Sequence, residues 1–163
     1  MENIYEFALK FEKDSETLYR DLINNTESTG IKKILNMLAD EEAKHYEIIS
    51  KMKDNIKELL YESTDILDNS KNIIQKMKEN NEKFEIENSQ LKIYEKARSI
   101  ENESKKFYEE KSHEIQFEKQ KKIFLNLAKE EEKHFFIIDN LLIHMSRPQT
   151  WVEDAEFNPK EDY

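Results

Sequence analysis

"LADEEAKHYEII", Leu38 to Ile49, returns as "LAKEEEKHFFII", Leu127 to Ile138. The second copy stands 89 positions after the first, and the same offset lays "IYEFALKFEKDSETLY" (Ile4–Tyr19) on "IYEKARSIENESKKFY" (Ile93–Tyr108). From Ile4 to Ile49 it matches 18 of 46 positions without a gap. One offset serving two separated segments marks a duplicated two-helix unit, about residues 4–53 and 93–142.

The rest of the composition agrees with an all-α chain. Among 163 residues there is one Gly, and the two Pro both lie near the C-terminus. Strands and tight turns would need more of both. The break between the first two helices falls at "ESTG", before Ile31. Helices are expected near residues 2–25, 31–60, 90–115 and 119–145. The span from Tyr61 to Gln90 is too long for a tight turn between antiparallel neighbours. Within it, Ile66, Leu67, Ser70, Ile73, Ile74 and Met77 mark one face of a short helix, with Ser63 or Thr64 as its cap. Two hairpins joined by a long crossover give a ferritin-like four-helix bundle over residues 1–145. Residues 146–163 read as an irregular tail that packs Trp151 and Phe157 on the bundle.

A formal net charge of −10 disfavours nucleic acid and an anionic membrane surface as partners. No apolar run approaches a membrane span, and the first residues lack the basic and apolar regions of a signal peptide, so a cytoplasmic location is expected. With no Cys, disulfides, zinc ribbons and iron–sulfur ligand sets are excluded.

The apolar stripes carry the chemistry. Leu35, Leu38, Glu42, His45, Ile49 and Met52 follow one another at steps of three or four residues, so they share a helix face. Phe124, Leu127, Glu131, His134, Ile138 and Leu141 are their mates. Glu12 and Glu101 hold equivalent places on the preceding helices, beside the small residues Ala8, Ser15, Ala97 and Ser104. A buried carboxylate costs several kcal/mol unless it is paired or binds a metal. Glu12, Glu42, His45, Glu101, Glu131 and His134 therefore read as one site for two metal ions, whose charge four carboxylates would neutralise. Oxygen and nitrogen donors without thiolate suit iron or manganese, singly or mixed.

Other polar residues are expected to be bystanders. Glu41, Glu130 and Glu132 fall off the stripe and should be solvated, and His113 and His144, which have no repeat mate, should lie on the surface. Tyr19 and Tyr108 either pack or hydrogen-bond a ligand carboxylate, whereas Tyr5 and Tyr94 should simply pack.

"FEKDSETLY", "EEAKH", "IENESKKFY" and "EEEKH" resemble the rubrerythrin branch of the ferritin-like diiron-carboxylate proteins, over about residues 2–145. The resemblance implies two iron ions bridged by Glu42 and Glu131, with Glu12 and His45, and Glu101 and His134, as terminal ligands. It also implies reduction of hydrogen peroxide, or oxidation of Fe(II) by oxygen or peroxide. Two departures stand out. The rubredoxin domain of rubrerythrin proper needs four Cys, which this chain lacks. A further ligand Glu, three residues after the Glu101 position, is replaced here by Ser104, mirrored by Ser15.

The expected activity is that of a diiron oxidoreductase reducing peroxide or oxygen. Its electrons would come from an external donor such as a rubredoxin-like protein, and its expected assembly is a homodimer. Iron handling as a ferroxidase or store, and a non-catalytic metal-stabilised bundle that engages a partner, are the alternatives.

Overall fold

A computed structural model describes residues 3–54, 59, 61, 63–82 and 84–145. The helices are α1 (Ile4–Asn24), α2 (Thr29–Lys53), α3 (Ile66–Glu79), α4 (Asn88–Lys111) and α5 (Glu118–Met145), with a 3-10 turn over Ser112–Glu114. The described residues contain no strand. None of the helices is long and apolar enough to cross a membrane. The four long helices are the expected bundle, with α1 on α2, α4 on α5, and the hairpins meeting through α1 and α4. The crossover helix α3 lies against α2 and α5.

Local signals explain where the helices begin. Asn3 caps α1 by accepting from the Tyr5 backbone N–H at 2.9 Å. Ser28 caps α2 by accepting from the Ile31 N–H at 3.2 Å. Gly30 is not a breaker. It sits in the first turn of α2, where a Cβ would fall 2.5 Å from Met77 Sδ, so its missing side chain lets α3 approach.

Two expectations fail along the crossover. The second helix ends at Lys53, and Leu59 and Tyr61 pack against the core from outside it. The residue at the cap position of α3 is Asp65, with no side-chain cap bond; the Ser63 and Thr64 hydroxyls are engaged by buried carboxylates instead. The tail and its Trp151 and Phe157 lie outside the described residues.

The apolar core forms two clusters that the repeat exchanges. One holds Tyr19, Leu38, Tyr94, Ile138 and Leu141; the other holds Tyr108, Leu127, Ile49 and Met52. Between the hairpins, α1 and α4 approach closely over the buried small residues Ala8, Ser15, Ala97 and Ser104. By contrast α2 and α5 meet sparsely, which leaves room between them for larger polar side chains.

Candidate metal centre

All six expected ligands converge in that space. Glu12, Glu42, His45, Glu101, Glu131 and His134 are each at most 1% exposed. Their atoms form two overlapping groups, Glu12–Glu42–His45–Glu131 and Glu42–Glu101–Glu131–His134, each within 4.8 Å. Glu42 and Glu131 belong to both groups. His45 Nδ1 lies 2.8 Å from Glu131 Oε1 and 3.3 Å from Glu12 Oε2. His134 Nδ1 lies 2.6 Å from Glu42 Oε1 and 3.5 Å from Glu101 Oε1. The imidazoles stack at 5.7 Å with planes 5° apart. Helical geometry produces this arrangement, since i, i+3 spacing stacks each Glu and His on one face.

The tyrosines cross between hairpins. Tyr19 donates to Glu101 Oε1 at 2.6 Å, and Tyr108 donates to Glu12 Oε1 at 2.5 Å. Each phenol thus both packs in the core and hydrogen-bonds a carboxylate of the cluster. Burial, then the charges of Glu101 and Glu12 respectively, raise the phenols well above their usual range. They therefore stay protonated as donors. Tyr94 is buried as expected, and Tyr5 packs edge-on to Phe124 with its hydroxyl 3.1 Å from Gln120.

The charges in the cluster are unequal. Burial and then repulsion from Glu101 and Glu12 push Glu42 and Glu131 well above the usual carboxylate range. Burial also opposes the charges of Glu12 and Glu101. It is outweighed by attraction to His45 and His134 together with hydrogen bonds, so Glu12 falls below its ordinary value and Glu101 falls to about 2. Burial works against His134 as well, but the charge of Glu101 and hydrogen bonds to Glu101 and Glu41 raise it.

Glu41 and Glu130 contradict the expectation of solvated side chains: they are 7% and 1% exposed. Glu41 Oε1 lies 2.9 Å from His134 Nε2, and its Oε2 accepts from Thr64 Oγ1 at 2.6 Å. Glu130 Oε1 accepts from Ser63 Oγ at 2.6 Å and from Lys133 Nζ at 3.0 Å. Tyr61, also not anticipated, places its hydroxyl 2.7 Å from His45 Nε2. A helical wheel puts Glu41 and Glu130 one step off the stripe, but the crossover covers that step. The repeat itself held the missed signal, since Glu41 and Glu130 recur at the same offset as the ligands. Glu132 does face outward, half-exposed, with an ion pair to Lys105 at 3.6 Å. His113 is exposed, and the His144 side chain lies outside the described residues.

Beside His45 and Glu41 lies a cleft of about 290 Å³, lined also by Lys44, Ile48, Tyr61 and Thr64. A larger cleft of about 430 Å³, beside Thr26, Phe84 and Tyr94, is lined by none of the six residues.

A helical bundle built on a repeat, with overlapping carboxylate–histidine groups in its core, defines a protein whose interior offers a buried site that could hold metal. The chain belongs to the rubrerythrin family, whose model (Rubrerythrin) matches residues 3–142. No curated protein and no solved structure gives a match.

Proposed function

We propose that the protein is a diiron-carboxylate oxidoreductase that reduces hydrogen peroxide or oxygen with electrons from an external donor. One observation carries the reading. Glu12, Glu42, Glu101 and Glu131 each keep one buried oxygen, Oε2, without a hydrogen-bond partner. Native proteins rarely leave such atoms unsatisfied, and four in one cluster fit cation ligands. Glu12 and His45 would hold one ion, Glu101 and His134 the other, and Glu42 and Glu131 would be shared. Bound iron would supply the two electrons that cleave an O–O bond.

The chain's own residues do the rest. Tyr108 and Tyr19 fix the rotation of Glu12 and Glu101, leaving the second oxygen of each facing the cluster. Apolar layers on both sides exclude water. The buried Ser15 hydroxyl has no partner, and one turn from Glu12 it can donate to a small oxidant. The cleft beside His45 gives that oxidant a route inward. The sequence contains no Cys to build a rubredoxin or iron–sulfur centre, and a rubredoxin-like donor would suit the supply of reducing equivalents.

A ferroxidase role in iron handling is the second reading, favoured by Ser104 at the position where the resembling peroxidases carry a further carboxylate. The deciding experiment is anaerobic Fe(II) loading followed by stopped-flow mixing with peroxide and, separately, with oxygen. Faster oxidation by peroxide, and turnover that requires an added reductase and donor, are expected. Oxidation by oxygen alone, with iron retained and no donor-dependent turnover, would support iron handling instead.

A further inference from the structure

We infer that Glu41 is a positioning residue that makes the two halves of the centre unequal, so that the Glu101–His134 position binds a divalent metal more tightly than the Glu12–His45 position. The inference rests on the two-metal reading above and adds a partner for each imidazole. Both histidines turn Nδ1 into the cluster and Nε2 outward. An imidazole that ligates through Nδ1 carries its proton on Nε2, and the acceptor of that proton sets ring orientation and donor strength.

The two acceptors differ in kind. His134 Nε2 meets the Glu41 carboxylate at 2.9 Å, and a carboxylate can only accept. Thr64 holds the other Glu41 oxygen at 2.6 Å, so that carboxylate is fixed in place. His45 Nε2 meets the Tyr61 hydroxyl at 2.7 Å, a neutral and therefore weaker acceptor. Glu130, the repeat mate of Glu41, does not take that place. It is held by Ser63 and Lys133, with Thr64 Oγ1 3.2 Å from its second oxygen. The asymmetry thus originates in Tyr61, Ser63 and Thr64 of the crossover, which the repeat does not duplicate.

The test titrates metal-free protein with Mn(II), following the free ion by electron paramagnetic resonance, and needs no turnover. Two binding steps per chain are expected, separated by about tenfold or more. Glu41→Gln should weaken the tighter step by about tenfold and draw the two together. Tyr61→Phe should weaken only the looser step. Equal steps in the wild type, or a Glu41→Gln protein that loses both steps alike while melting normally, would overturn the inference. If Glu41→Gln does not fold, Tyr61→Phe decides alone, since an effect on both steps overturns the assignment. Wild-type protein that binds fewer than two Mn(II) per chain, with iron no better, would overturn the two-metal reading itself.

Discussion

His45 and His134 occupy equivalent places in the two copies of the repeat, and their inward nitrogens face matching carboxylates. Their outward nitrogens differ: one meets a phenol, the other a carboxylate. Duplication supplied a symmetric interior, and a single crossover laid over one side made the exterior unequal. The inner set is constrained from both hairpins at once, since each tyrosine and each imidazole reaches residues of the other hairpin. In the outer set the crossover decides the difference: Tyr61 faces His45, whereas Thr64 holds Glu41 of the other hairpin against His134.

The largest expected effects fall on the symmetric interior. Glu42→Ala and Glu131→Ala each remove a carboxylate shared by both metal groups. Each variant should bind at most one ion per chain where two are expected for the wild type, as measured by elemental analysis after anaerobic loading. A large difference between these two variants would break the symmetry inside the cluster as well as outside it.

Tyr19→Phe and Tyr108→Phe probe the same symmetry more gently. Each strips a donor from a fully buried carboxylate, at 2.6 Å and 2.5 Å respectively. Leaving such an oxygen unsatisfied costs about 1–3 kcal/mol. Chemical denaturation of the metal-free proteins should show a loss in that range for both. A loss confined to one of them would show that the hairpins are not equally packed around the site.

Much of this could be read before any coordinates. The six inward residues followed from one argument, a costly polar residue on an apolar stripe, made twice at one offset. The crossover and its helix were legible too; what escaped was the part played by Tyr61, Ser63 and Thr64, which have no second copy to compare with. Ser63 and Thr64 looked like helix caps, a role worth about 1 kcal/mol. Buried carboxylates left without donors cost about 1–3 kcal/mol or more, so the hydroxyls went to Glu130 and Glu41. Glu41 and Glu130 looked solvated for a related reason. A helical wheel assigns one buried face to each helix, but α2 and α5 stand apart, and the segment over them buries a wider arc.

The smallest expected effect tests where that covering element is seated. Gly30 lies in the first turn of α2, and its repeat mate, Lys119, lies exposed in the first turn of α5. Only Gly30 meets the crossover helix. A Cβ there would fall 2.5 Å from Met77 Sδ and 2.7 Å from Met77 Cγ, with Ile73 Cγ2 at 3.4 Å. In a free helix, Gly→Ala stabilises by about 1 kcal/mol. At Gly30 that gain is offset, because Met77 is buried and must shift, although a flexible thioether limits the cost. Gly30→Ala should therefore destabilise the protein slightly, by less than about 1 kcal/mol once packing and propensity are combined. Lys119→Ala should be neutral, and Mn(II) binding should be unchanged in both. If Gly30→Ala instead gains the full free-helix increment in a denaturant melt, α3 does not bear on α2 at this point, and the two halves differ less than their outer shells suggest.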